Sequence, residues 1–517
     1  MPVFYASDQL TTRKPSQLPN PINQDLKKNT LEFEQSAFIK ATGFREYDAR
    51  WLFEEEINLY GVQAVGRGLG TLLYERNIRP HIVVGHDFRS YSSAIKHALI
   101  VGLMDAGCHV YDIGMAITPM AYFAQFALDV PAVAMVTASH NENGWTGIKM
   151  GMERPLTFGP DEMLALKSIV LEGRDKSHPG GALTRVTDIF EKYKADLIKG
   201  GKISRKLKIA AACGNGTAGA FAPDVLRALG CEVVEIDCDL DHSFPNYNPN
   251  PEDMKMLHVM ADAARKHGAD IAMGFDGDGD RLGVVDNEGH EIFADKLGLM
   301  LARDIAAQTP NAKFVVDVKS TGLYRSDPVL KSLGVSVDYW KTGHSYIKRR
   351  TKELGAVAGF EKSGHFFFSG IYGNGYDDGI ASAINICRLL DRAKTKSIAD
   401  LYRELPKTYG TPTMSPHCAD PEKYGVIEAL TKIVISDYDR KTKIAGQSIS
   451  VINTINGVRF EFADGSFGLV RASSNKPELV VVCESVVSHV HVRQIFIYIE
   501  ALLTKFPAVG AFNQKIL

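Results

Sequence analysis

The sequence predicts an α/β protein: three similar domains, each on a mixed, mostly parallel sheet covered by helices, then a smaller C-terminal α+β domain. Two observations carry this. Short apolar runs alternate with helical patterns in the same order three times over, as strand–helix–strand units require. Each pass also ends an apolar run in a polar loop, and strand ends are where open α/β sheets keep their chemistry. A length of 517 residues suits about three to five domains. The expected boundaries are 1–37 for an extended leader, 38–190, 191–291 and 292–408 for the α/β domains, and 409–517 for the last.

The leader carries Pro2, Pro15, Pro19 and Pro21 among polar residues, without a long apolar core. It reads as an extended or partly disordered arm, neither a secretory signal nor a membrane span. Phe44-Arg45-Glu46-Tyr47-Asp48-Ala49-Arg50 fits either an anion clamp or a salt-bridged surface turn, and the surface turn is favoured. An amphipathic segment over 54–77 follows, then strands over 81–85 and 108–113 with a helix over 92–105 between them. A helix near 118–128 precedes the apolar strand 132–136. The second pass places strands over 207–212, 230–236 and 271–275, and the third over 314–318, 334–340 and 356–359 with a helix over 345–354. Beyond 408 the pattern changes to strands over 451–462, 467–470 and 478–483, an Asp464-Gly465 hairpin signal and a terminal helix over 489–504.

The chemistry is concentrated in the loops. Thr137-Ala138-Ser139-His140-Asn141 presents a hydroxyl beside an imidazole, which suggests a nucleophile or a carrier of a covalent group, although no G-x-S-x-G elbow is present. Asp276-Gly277-Asp278-Gly279-Asp280-Arg281 sets three carboxylates at alternate positions, with glycines that let the backbone wrap tightly. An EF-hand would want Gly where Arg281 stands and Glu where Asn287 stands, so the calcium-loop reading fails twice. An all-oxygen site with few protein ligands suits Mg²⁺, which keeps positions for water or phosphate oxygens. Arg471-Ala472-Ser473-Ser474-Asn475-Lys476-Pro477 offers the arginine, hydroxyl and backbone N–H donors a phosphate dianion needs.

Composition sets limits. A net charge of -2 argues against a general nucleic-acid surface, and no apolar stretch reaches the length of about 18 residues that a spanning helix needs. Seven scattered cysteines without a CxxC pair read as buried thiols of a reducing compartment, so a cytoplasmic protein is expected.

Considered together, the loops resemble those of the α-D-phosphohexomutases, closest to the bacterial phosphomannomutase/phosphoglucomutase branch, over nearly everything from about residue 38 onward. Thr137 to Asn141 with Gly147-Ile148-Lys149 resembles the phosphoserine loop and Asp276 to Arg281 the metal loop. Gly359-Phe360-Glu361-Lys362-Ser363-Gly364-His365 resembles the sugar loop and Arg471 to Pro477 the phosphate loop, with supporting matches at Phe44 to Arg50, Asp317-Val318-Lys319 and Lys341-Thr342-Gly343-His344. The resemblance implies four domains around a central cleft. It implies that Ser139 carries a phosphoryl group, and that one Mg²⁺ per chain is held by Asp276, Asp278, Asp280 and an oxygen on Ser139.

The implied reaction is reversible transfer between C1 and C6 of hexose phosphates through a hexose 1,6-bisphosphate, which is intermediate or activator. The implied partners are small-molecule sugar phosphates, with no nucleic acid and no membrane. Arg471, Ser473, Ser474 and Asn475 would hold the phosphate that is not reacting. Glu361 and Ser363 would read sugar hydroxyls, Lys319 and His344 would be further sugar or phosphate ligands, and Tyr47 and Arg50 would line the cleft beside Ser139. Arg281 is expected in the catalytic machinery beside the three aspartates. For proton movement, Lys149, His140 and His365 all qualify, and the sequence does not choose among them. Ser473-Ser474-Asn475-Lys476 departs from the Ser-Asn-Thr of many relatives, and Lys362 after Glu361 puts a second cation beside the sugar loop. Mannose and glucose differ by one epimeric hydroxyl, so dual specificity is expected. The alternatives are a phosphoglucosamine mutase and a Mg²⁺-dependent sugar-phosphate phosphohydrolase.

Overall fold

The computed structural model describes residues 22–474 and 476–514. They form two compact units, one running to Leu282 and including Asp378–Ile384, the other made of Gly283–Asp377 and Asn385 onward.

The first unit carries a six-stranded sheet in the order Ala49–Leu52, Trp145–Gly151, Ala132–Val136, His81–His86, His109–Met115, Ala182–Arg185. The last four run parallel to one another, and Trp145–Gly151 runs antiparallel to both of its neighbours. Every residue of Ala132–Val136 is buried, because helices cover both faces of a parallel core strand and leave no polar side to alternate with. Trp145–Gly151 was not expected as a strand, since Gly147 and Gly151 depress strand propensity. It pairs back on Ala132–Val136 with Lys149 opposite Met135, which returns that lysine to the serine loop. A second, parallel set follows in the order Glu232–Ile236, Lys208–Ala212, Ile271–Phe275.

From residue 22 the leader is built into this unit. Ile22–Asn23 pairs with Ala37–Phe38, and Leu31–Gln35 is a helix capped by the Thr30 hydroxyl, which accepts from Phe33 N at 3.2 Å. Asn58, the N-cap of Leu59–Glu75, donates to the carbonyls of Phe33 at 2.8 Å and Ser36 at 2.9 Å. One amide and the buried Phe33 thus hold a segment whose composition suggests a free arm.

The second unit holds a four-stranded sheet ordered Ser336–Trp340, Lys313–Asp317, Ala358–Phe360, Phe366–Phe368, in which only the last strand is antiparallel. Its C-terminal part is an antiparallel six-stranded sheet ordered Tyr409–Gly410, Leu479–Ser485, Phe467–Ala472, Val458–Phe462, Gln447–Asn453, Lys443–Ile444. The expected run 451–462 is two strands. Gly457 turns between them at φ +77, and any Cβ there would lie 2.2 Å from Val470 O. Against this sheet pack His489–Leu503 and a second helix, Asp420–Asp439, that the sequence reading missed. Gly425 and the β-branched cluster around Ile433, Val434 and Ile435 blur its helical period. Among the described residues, no helix is long and apolar enough to cross a membrane, and all seven cysteines are buried and unbridged.

Candidate active site

In the first unit, the strand Ala132–Val136 delivers Ser139, which is buried and held at φ 52. That left-handed conformation costs a residue with a Cβ about 1–3 kcal/mol. Polar side chains captured by the loop's carbonyls provide the compensation. Arg50 Nη1 donates to Ala138 O and to Asn141 Oδ1, both at 3.0 Å. Arg89 Nη2 donates to Ser139 O at 3.0 Å and Asn141 O at 2.6 Å, and Asn248 Nδ2 donates to His140 O. Charge-assisted bonds of this kind contribute about 1.5–3 kcal/mol each, so two or three outweigh the strain.

Asp87 anchors the arginine. It pairs with Arg89 and accepts from Thr137 Oγ1 at 3.0 Å and Ser92 Oγ at 2.5 Å. Burial pushes its carboxyl up, but Arg89 and these hydroxyls outweigh that and hold it below the usual value. Arg50, which the residues alone favour as part of a surface turn and the resemblance puts beside Ser139, is a strand residue that follows buried Tyr47 and Asp48, with its Nε 3.1 Å from Asp48 Oδ2.

The Ser139 hydroxyl faces the acidic loop that follows Ile271–Phe275. Its Oγ donates to Asp276 Oδ2 at 3.0 Å and lies 3.2 Å from His140 Nδ1. Gly277 permits this approach, because a Cβ there would sit 2.4 Å from Ser139 O. Asp276, Asp278 and Asp280 are fully buried and present oxygens within 4.8 Å of one another. Lys149 Nζ lies 2.7 Å from Asp278 Oδ2 and also pairs with Asp280, while Arg281 Nε is 3.8 Å from Asp276 Oδ2. Burial first, then the charges of Asp280 and Asp278, push the Asp276 carboxyl well up, against the pull of Arg281 and Lys149. Asp278 Oδ1 is buried with no hydrogen-bond partner. Three crowded carboxylates with an unsatisfied buried oxygen are what a hard divalent cation would complete, so the residues fit one.

The Asp378–Ile384 segment braces this loop: Gly379 N donates to Gly279 O at 3.0 Å, and Asp378 accepts from the Tyr193 hydroxyl at 2.9 and 3.0 Å.

In the second unit, Glu361 Oε1 accepts from Gly343 N at 2.5 Å, and its Oε2 lies 3.3 Å from His365 Nδ1. Ser363 Oγ is 3.1 Å from the same nitrogen. His344 and His365 sit with ring centroids 5.8 Å apart, each 3.9 Å from Asp377 Oδ2. Lys319 Nζ is 3.9 Å from Asp317 Oδ2, which also accepts from Thr342 Oγ1 at 3.0 Å. The expected sugar loop is therefore a connected cluster. Arg471 and Ser473 are buried at the end of Phe467–Ala472 and Ser474 is half-buried, whereas Asn475 lies outside the described residues.

Sequence reasoning missed Arg89, although Asp87-Phe88-Arg89 follows a parallel strand as the other loops do. It also missed Lys423, whose buried amine donates to Ser473 O at 2.6 Å and Lys476 O at 3.1 Å from the unrecognised helix.

Comparison with known proteins identifies the domains. Residues 41–177, 188–289 and 293–409 match α/β/α domains I, II and III of phosphoglucomutase/phosphomannomutase. The chain is 35% identical over 447 residues to a phosphomannomutase/phosphoglucomutase of Pseudomonas syringae, covering 86% of this chain and 91% of that one. It is 34% identical over 442 residues to a phosphoglucomutase of Neisseria meningitidis, covering 86% and 92%. The crystal structure of a phosphoglucomutase/phosphomannomutase family protein from Burkholderia thailandensis superimposes with a TM-score of 0.82 at 29% identity, covering 92% of this chain and all of that one. Fold and relatives together define an isomerase of the phosphohexomutase class. The chain belongs to the phosphoglucomutase/phosphomannomutase family.

Proposed function

We propose that this protein interconverts the 1- and 6-phosphates of glucose and mannose in the cytoplasm, with Ser139 as the phosphoryl carrier. The single observation that carries the reading is the Ser139 hydroxyl, buried and aimed at Asp276 from 3.0 Å in a pocket already loaded with countercharges. In the forward direction the phosphoserine gives its phosphoryl group to the free hydroxyl of a hexose monophosphate. The serine oxygen keeps the P–O bonding pair, and the resulting 1,6-bisphosphate returns its other phosphate to Ser139.

Asp276, Asp278 and Asp280 would hold Mg²⁺ with an oxygen on Ser139. The cation, when bound, supplies stabilisation of the charge spread over the equatorial oxygens in phosphoryl transfer. His140, 3.2 Å from Ser139 Oγ, is placed to hold or move the proton at that atom. Lys149 supplies fixed positive charge beside Asp278 and Asp280. Arg471, Ser473, Ser474 and Asn475 fix the distal phosphate, and Glu361, Ser363, His365, Lys319 and His344 read the sugar.

The test is intact mass of the purified protein before and after incubation with a hexose 1,6-bisphosphate. One phosphoryl adduct mapping to Ser139, absent in Ser139→Ala together with a rate loss on the order of 10³-fold or more, is the expected result. Faster release of inorganic phosphate than isomerisation would make the protein a phosphohydrolase, and a clear preference for glucosamine 1-phosphate would change the substrate.

A further inference from the structure

Arg459 is fully buried on Val458–Phe462, lodged between the rings of Phe467 and Tyr339 with its guanidinium carbon 3.6 and 4.4 Å from their centroids. A buried guanidinium is costly unless its donors reach strong acceptors, and Arg459 satisfies Nε and Nη1 in this way while Nη2 has no hydrogen-bond partner among the described residues. Arg459 Nε donates to Glu461 Oε1 at 2.7 Å. Its Nη1 donates to two main-chain carbonyls, Val318 O and Ser320 O, both at 2.7 Å. Those carbonyls flank Lys319. The next one, Thr321 O, accepts from the Tyr339 hydroxyl at 2.5 Å, and Thr321 N donates to Asp295 Oδ2 at 2.9 Å. Three carbonyls of this turn, those of Val318, Ser320 and Thr321, are thus claimed by Arg459 or by the ring it stacks on, and Lys319, whose Nζ lies 3.9 Å from Asp317 Oδ2, sits between the first two.

The strand carrying Arg459 also pairs with Phe467–Ala472, the strand that holds Arg471 at its end, with Arg459 opposite Leu469 and Val458 opposite Val470. One rigid hairpin therefore seats the Lys319 turn at one place and starts the phosphate loop at another.

We infer that Arg459 is a positioning residue for substrate binding, acting through Lys319 by holding the carbonyls on either side of it. This rests on the proposed role of Lys319 as a ligand of the sugar phosphate. The contact is structural in form, but its consequence is specific. A residue that only stabilises the fold would affect turnover whatever stands at position 319, whereas one that orients Lys319 has nothing to orient once that amine is gone.

The experiment is a double-mutant cycle with the full chain, measuring KM and kcat for glucose 1-phosphate in wild type, Arg459→Met, Lys319→Ala and the double variant, with thermal melting of each. Methionine keeps the apolar sandwich between Tyr339 and Phe467 but cannot donate. The expected result is that Arg459→Met lowers kcat/KM about tenfold or more, chiefly through KM, in the Lys319 background. In the Lys319→Ala background the same change should cost no more than about twofold. An undiminished effect in that background overturns the inference and leaves the proposed function standing. If Lys319→Ala alone leaves kcat/KM unchanged, the ligand role of Lys319 fails, and the inference falls with it. Should Arg459→Met fail to fold, Tyr339→Phe, which removes only the hydroxyl on Thr321 O, is put through the same cycle with the same two criteria.

Discussion

Arg89 donates to the carbonyl oxygen of Ser139 at 3.0 Å while its other terminal nitrogen pairs with Asp87, so Ser139 is tied by its own peptide to a buried ion pair. The arginine touches the backbone, not the hydroxyl. Its replacement should therefore act on the orientation of Ser139. Arg89→Lys keeps the charge near Asp87 but cannot fork between Ser139 O and Asn141 O, and should lower kcat about 10- to 100-fold with KM for glucose 1-phosphate little changed. Arg89→Met should in addition lower Tm, because it leaves Asp87 buried without its main countercharge. Steady-state kinetics and thermal melting of the two variants check this. A rise in KM with unchanged kcat would place Arg89 in binding instead.

The Asp276 carboxyl is pushed up by burial and by Asp280 and Asp278. A carboxyl raised in the folded state takes up a proton on folding. Its contribution to stability is fully present below the unfolded value of about 3.9 and is lost as pH rises through the folded value. Above that value the folded protein without cation bears a buried Asp276 carboxylate crowded by Asp280 and Asp278. Magnesium should therefore raise Tm more at about pH 8 than at about pH 5.5. In EDTA-treated protein at the higher pH, Asp276→Asn should itself raise Tm and should shrink the magnesium effect. Melting curves at the two pH values, with and without magnesium chloride, decide the matter; an equal magnesium shift at both would contradict it.

Gly277 owes its identity to proximity, since a Cβ would fall 2.4 Å from Ser139 O. Neither loop can yield cheaply: the serine loop is held by Arg50 and Arg89, and the acidic loop by Gly279 O accepting from Gly379 N. Gly277→Ala should destabilise by about 1–3 kcal/mol as an overpacked site. It should also cost on the order of 100-fold in kcat by moving Ser139 away from Asp276. Thermal melting and turnover of this one variant read both effects.

Three of the candidate site loops were legible because parallel strands advertise themselves as unbroken apolar runs, and the polar residues ending them stand out. Ser139, Asp276 and Glu361 each follow such a run. What holds the loops was not legible. Arg89, Arg459 and Lys423 act on main-chain carbonyls 50, 139 or 141, and 50 or 53 residues away in sequence. A carbonyl is the same group in every residue, so no side-chain pattern records that it has been claimed. The helix Asp420–Asp439 was hidden for a different reason: Gly425 and its β-branched residues weaken the local signal, and packing on the C-terminal sheet supplies the stability that propensity does not.

Lys423 gives that helix a functional edge. Its buried amine sits 2.7 Å from Asp420 and donates to Ser473 O and Lys476 O, which turns those carbonyls inward and brings positive charge under the loop proposed to hold the distal phosphate. An anion loop with its carbonyls turned outward would repel the group it is meant to bind. Lys423→Met should accordingly raise KM for glucose 1-phosphate about tenfold and weaken competitive inhibition by inorganic phosphate by a similar factor, with a smaller change in kcat. Lys423→Arg, which can reach the same carbonyls but with a bulkier fork, should recover only part of the loss. Because Lys423 holds the loop by its carbonyls, an effect confined to kcat would mean that the helix serves the chemical step rather than the grip on substrate.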